Sequence, residues 1–284
     1  IRGAAYATVI SGFVSPAILF SLYFSRRMRE TYATHREFVF DRAMTWRMIR
    51  FGLPSGLHLV VDVASFTAFV LIVGRLGEAQ LAVSNIAFSI NMVAFMPLLG
   101  ISLAASTLVG QYQGRRESAI AERATWTSLK IGLVYMAVIG TTYLATPEFY
   151  LRMFMQRGEG GLPIEGLLPV GRVLLMMMAA WGLLDTANLV FSHALKGAGD
   201  TRFVMWYSSA MAWGLLVPVQ WLLVNVLGRG VLHAWAWLTV FVWILAAGYY
   251  LRFRQGHWKS IEVIEAQPAL RPTRPGAEAI AVVE

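Results

Sequence analysis

Two aspartates sit where acids are costly. Asp62 is the twelfth residue of the apolar stretch 51–74, and Asp185 is the thirteenth of 173–195. A charged carboxylate facing lipid at mid-membrane costs about 3 kcal/mol or more, so each must face a bundle interior, take a proton or bind a cation. The alternative is a neutral acid bonded to a neighbouring helix. Trp181, Asp185, Asn188 and Ser192 recur at helical spacing and set an aromatic ring, an acid, an amide and a hydroxyl along one side of a helix. His58 precedes Asp62 by one turn, where it could join a proton relay or be a structural partner, and Ser65 follows at three. Asn91, with Asn85 and Ser89, could line the same cavity or serve helix packing. Oxygen ligands suit a hard cation such as Na+, for which Asp62 and Asp185 would be the metal ligands, whereas a desolvated carboxylate suits a proton. The coupling ion is therefore Na+ or H+, and no other cofactor is expected.

The elements that position these groups are membrane helices. Of 284 residues, 57% are apolar and 14% charged, against about 25% charged in a soluble domain. Seven apolar stretches, near 3–24, 51–74, 84–109, 126–146, 173–195, 203–227 and 230–251, are long enough to cross a hydrocarbon core of about 30 Å. Backbone groups in lipid must be satisfied internally, so helices are expected, with Pro16, Pro97 and Pro218 as kinks. The expected fold is an all-α integral membrane protein of about seven transmembrane helices. Lys130 lies one turn from a span end and snorkels.

The formal charge of +8 sits in loops beside apolar spans, where it meets anionic lipid rather than nucleic acid. The absence of cysteine excludes disulfides, thiolate metal sites and cysteine nucleophiles. Seven arginines crowd 25–50 and only Arg75 follows the next span, and this alternation continues with one tie at the long link holding Arg152, Arg157 and Arg172. By the positive-inside rule residue 1 lies outside and the tail is cytoplasmic, in a multi-pass protein of the cell (inner) membrane. Ile1 is not an initiator and enters an apolar span at once, so upstream sequence is expected to be missing. The proline-rich stretch 266–284 reads as disordered.

Three segments, FGLPSGLHLVVD (51–62), VGRLGEAQLAVSNIAFSI (73–90) and LLDTANLVFSHALKGAGDTRF (183–203), resemble the multidrug and toxic compound extrusion family, usually called MATE. The resemblance runs to about residue 255, and its most specific part is an acid in a membrane helix followed one helix length later by a Gly, Asp, Thr, Arg turn. It implies a twelve-span transporter in two six-helix lobes, of which this chain supplies the sixth span (1–25), the basic cytoplasmic inter-lobe linker (26–50), the second lobe (51–252) and a cytoplasmic tail (253–284). It also implies that Asp62 and Asp185 bind the coupling cation during antiport of organic cations. Trp181 stands where some relatives have Tyr, so an aromatic is kept and a hydroxyl ligand lost. The partners implied are membrane lipid, a small organic cation and the missing amino-terminal lobe, without which alternating access has nothing to move against.

Other classes are weighed against this. GAGD (197–200) satisfies the GxGD pattern of intramembrane aspartyl proteases, and PAL (268–270) follows, but both patterns are short and the second acid has no candidate by motif. A polysaccharide or lipid flippase of the same superfamily shares the lobe design, yet spans with acids and aromatics fit cationic or amphiphilic substrates better. A half-transporter with a separate partner, or a non-transporting remnant, is a further alternative. A transporter rather than an enzyme is expected. In the turn, Gly197 and Gly199 are expected to end a helix and Asp200 to cap the next.

Overall fold

A computed structural model gives the fold and describes residues 2–26, 40, 42–155 and 164–261. All regular structure among these residues is helical. The helices are α1 (Arg2–Tyr23), α2 (Arg42–Gly74), α3 (Glu78–Gly114), α4 (Ser118–Ala145), α5 (Pro147–Met155), α6 (Ile164–Gly197), α7 (Thr201–Met211), α8 (Val217–Trp221) and α9 (Val231–Gln255). Six helical runs are long and apolar enough to cross a membrane: Arg42–Gly74, Glu78–Gly114, Ser118–Ala145, Leu168–Gly197, Thr201–Val226 and Val231–Gln255. They match six of the seven expected spans. The first, 3–24, falls on α1, whose apolar run Val9–Tyr23 is shorter than the other six. The chain is an all-α membrane protein.

By its contacts the chain divides into Ile1–Arg50 and Phe51–Glu284, with α2 running across the boundary. In the first unit α1 exposes Val9, Ile10, Phe13, Ile18 and Leu19, which mark a helix meant for an apolar medium. The second helix begins at Arg42, inside the stretch expected to be linker, because basic residues can stay at headgroup level while the backbone is already helical. Arg27, Arg29 and Arg36 of that stretch lie outside the described residues.

In the larger unit α6 is the central helix, packed against α3, α4 and α9. Lipid supplies no hydrophobic drive between helices, so they associate by close approach over small residues. A methyl group on Gly140 of α4 would already touch Ala179 of α6 at 3.4 Å, and one on Gly197 would lie 2.2 Å from the Ser106 carbonyl oxygen of α3. Aromatic side chains fill the middle: Phe69 of α2, Phe88 of α3, Trp181 of α6 and Trp235 of α9 meet ring to ring, with Phe88 stacked on Trp235 at 4.6 Å. Trp235 Nε1 donates to Ser84 Oγ at 3.0 Å, which satisfies its one polar group.

Three features were not expected. The long link after α4 contains the short helix α5, whose Glu148 pairs with Arg172 of α6; Arg157 of the same link lies outside the described residues. The run Thr201–Val226 is not uniform, since π-helical turns at Ala212–Leu216 and Leu222–Val226 flank Pro218. Proline removes one amide donor, and side chains meet carbonyls of the widened stretch: Trp237 Nε1 donates to the Leu216 oxygen and Asn225 Nδ2 to that of Trp221. Finally, the segment after α9 turns at Gly256 (φ +74) and docks as the 3-10 turn His257–Ser260. Trp258 is fully buried and stacks on Phe253, Gln113 Nε2 donates to the carbonyls of Trp258 and Lys259, and Lys259 pairs with Glu122 at 2.6 Å. The start of the expected tail is thus packed on α3 and α4, while 266–284 lies outside the described residues.

Candidate functional site

On α6, Asp185 is buried, and Asn188 Nδ2 donates to its Oδ1 at 2.9 Å. One turn earlier Trp181 meets Phe88 and Trp235 edge-on, both at 6.2 Å, and its Nε1 is buried without a hydrogen-bond partner. An indole N–H enclosed this way leaves a donor free for a polar group entering beside Asp185. Ser192, expected to extend the stripe, instead donates to the Leu189 carbonyl of its own helix at 3.1 Å. A hydroxyl in an apolar helix commonly takes this local acceptor, so the polar stripe reduces to Trp181, Asp185 and Asn188.

Asp62 behaves differently. Its side chain is 48% exposed, so it is not enclosed within this unit as Asp185 is. His58, Ser65, Phe69 and Val73 are buried on one side of α2, and Asp62, one turn after His58, shares that side yet stays open. Its partner is His58, whose Nδ1 lies 3.1 Å from Asp62 Oδ2, while Ser65 donates to the Val61 carbonyl. The two aspartates are close enough for the charge of Asp185 to act on Asp62. Asn91 is half-buried on α3 and, among the described residues, hydrogen-bonds to neither aspartate.

Lys196 is the group that the residue pattern did not reveal. It follows directly on the expected span 173–195, yet it turns back into the bundle and brings Nζ to 3.2 Å from His58 Nδ1. A signal was present, because Asp185, Ser192 and Lys196 are spaced by seven and four and share one face of α6.

The GAGD turn requires a correction. Asp200 precedes α7 but makes no side-chain capping bond. Its buried carboxylate instead accepts from Arg252 Nε of α9 at 2.8 Å, and the guanidinium lies over the Phe203 ring, 4.6 Å from its centre. The helix end itself is closed by backbone: Gly199, at φ +90, donates to the Lys196 carbonyl and Asp200 to that of Leu195, the paired bonds of a Schellman motif. Asp200→Asn is consequently not silent. It strips the counter-ion from a guanidinium that is only 25% exposed, and should cost about 2 kcal/mol, read as a lower unfolding temperature in detergent. Unfolding at the parent temperature would restore the capping role. The same geometry bears on the protease pattern, since an aspartyl dyad needs a second carboxylate where Asp200 has Arg252.

Comparison with known proteins agrees with this architecture. The MatE family model matches residues 54–222. The probable multidrug resistance protein NorM of Xanthomonas campestris pv. campestris is 28% identical over 258 residues, 89% of this chain and 54% of that protein. Its counterpart of the same name in Pseudomonas aeruginosa is 30% identical over 225 residues, 79% of this chain and 45% of that protein. The chain spans about half the length of the curated relatives it matches. Among solved structures, a MATE protein in complex with MaL6 superposes with a TM-score of 0.79 at 20% identity, covering 91% of this chain and 57% of the other. An outward-facing multidrug resistance MATE family transporter of the MOP superfamily superposes at 0.75 and 20% identity, covering 92% and 57%. With the family model matched from α2 to the second π turn and the fold of the MATE structures reproduced, the chain belongs to the MatE family.

Proposed function

We propose that this chain supplies the second lobe of a cation-coupled exporter of organic cations, and that Asp62 and Asp185 hold the coupling cation, Na+ or H+. The observation that carries the reading is a buried membrane aspartate, Asp185, paired with Asn188 and in electrostatic reach of a second, half-open aspartate on another helix. Two carboxylates at membrane depth are kept for cation chemistry more readily than for packing. The matched relatives are named as multidrug resistance proteins, and the aromatic wall of Phe88, Trp181 and Trp235 next to Asp185 suits a lipophilic cation. Alternating access moves two lobes about one site, so the lobe works with a first lobe, and the half-exposed Asp62 would face the space between them.

The test is transport by the gene-encoded protein in inner-membrane vesicles, with tetraphenylphosphonium as probe. Uphill movement that stops when the Na+ and H+ gradients are both collapsed supports the reading. Movement that persists without either gradient refutes cation coupling.

The orientation proposed is residue 1 outside and the tail in the cytoplasm. The chain has no native cysteine, so single cysteines report directly. A cysteine at 46 or 259 should resist an impermeant thiol reagent added to intact cells, and one between 158 and 161 should react. Labelling at 46 from outside would invert the topology.

A further inference from the structure

We propose that Lys196 is a resident cation of the coupling site, held beside Asp62 through the imidazole of His58, and that the coupling cation binds against it in competition. The inference rests on the reading of Asp62 and Asp185 as that site. Lys196 Nζ is 3.2 Å from His58 Nδ1, and the same nitrogen is 3.1 Å from Asp62 Oδ2. A ring nitrogen carries either one N–H or one lone pair, so Nδ1 serves the carboxylate or the ammonium at any moment but not both. Lys196 and Asp62 therefore share a single hydrogen-bonding position, and a change at one is felt at the other.

A lysine one residue from a helix end would ordinarily extend its stem to the headgroups. Lys196 points the other way, and its backbone is fixed there. The next residue, Gly197, lies against the Ser106 carbonyl of α3, and the Lys196 carbonyl is taken by the Gly199 amide. Among the described residues, the charged and titratable groups within electrostatic reach of this cluster are His58 and Asp62 on α2, Asp185, His193 and Lys196 on α6, and Tyr249 on α9. His193 Nδ1 is held by the Leu189 carbonyl at 2.8 Å, and since a histidine is mostly neutral at pH 7 where an ammonium is not, Lys196 is the standing positive charge. Two carboxylates and one ammonium leave a single uncompensated negative charge, which fits one Na+ or one proton.

The test follows the unfolding temperature of the gene-encoded protein in detergent while NaCl replaces choline chloride, and again while pH is lowered. The quantity read is the Na+ or H+ concentration giving half of the cation-dependent rise. Lys196→Gln and Lys196→Met should each need about tenfold less cation than the parent, because removing a nearby positive charge deepens the attraction of the site. Lys196→Arg should stay within about twofold, since it keeps the charge. A purely structural lysine would lower the unfolding temperature of the neutral variants without moving the cation requirement. An unchanged or increased requirement in both neutral variants therefore overturns the proposal. If Asp62→Asn and Asp185→Asn retain the parent's cation response, the coupling-site reading itself falls. If those two lose it while the Lys196 variants titrate like the parent, only the role of Lys196 is refuted.

Discussion

Asp185→Asn should reduce gradient-driven tetraphenylphosphonium transport to the level of vesicles without the protein, and leave the protein folded. The aspartate is enclosed, and among the described residues its side-chain bond comes from Asn188 Nδ2 at 2.9 Å. An asparagine of the same volume turns its own oxygen to that donor, so the local packing and the hydrogen bond survive. What it cannot do is carry a negative charge, and a neutral group there gives a cation nothing to bind against. Asp62→Asn should abolish coupling in the same way, since its oxygen can still accept from His58. The two differ in setting: Asp62 is about half exposed in this unit and its variant should unfold at the parent temperature, whereas the enclosed Asp185 variant is compared with the parent after its own unfolding temperature is measured. Uphill transport at the parent rate by either variant would make that aspartate a structural group.

The second large effect is steric. Gly197→Ala should destabilise the protein by about 3 kcal/mol, at the upper end of what one added methyl costs in a packed interior. The new carbon would fall 2.2 Å from the Ser106 carbonyl oxygen and 2.9 Å from Ser106 C and Cα, all backbone, so no side chain can swing aside. Helices α3 and α6 would have to separate where they touch main chain to main chain, and the neighbouring Lys196 would shift from His58. Gly100→Ala in α3 is the matched control, because its added methyl meets nothing within 4 Å and alanine is the better helix former. It should be neutral or slightly stabilising. Equal unfolding temperatures for the two variants would refute the close approach.

The apolar runs and the depth of their acids were fixed by the sequence itself. Backbone hydrogen bonding in lipid leaves only helices of about twenty residues, and a run length reports that directly. Asp62 and Asp185 were visible for the same reason, since a charge surrounded by apolar neighbours is conspicuous without any knowledge of packing. The Asp185–Asn188 bond was also legible, being a contact between successive turns of one helix. Contacts between helices were not. Asp200 read as a cap because its neighbours in sequence are a helix start, and only the arrival of α9 beside it supplied Arg252, 52 residues away, which outcompetes a backbone amide for the carboxylate. Lys196, just past the end of the expected span 173–195, read as a loop cation until the fold set His58 of α2 within its reach, 138 residues before it in the chain. The exposure of Asp62, the π turns around Pro218 and the docked Trp258 were likewise decided by which helices meet, because periodicity gives the faces of a helix and says nothing of what each face will touch.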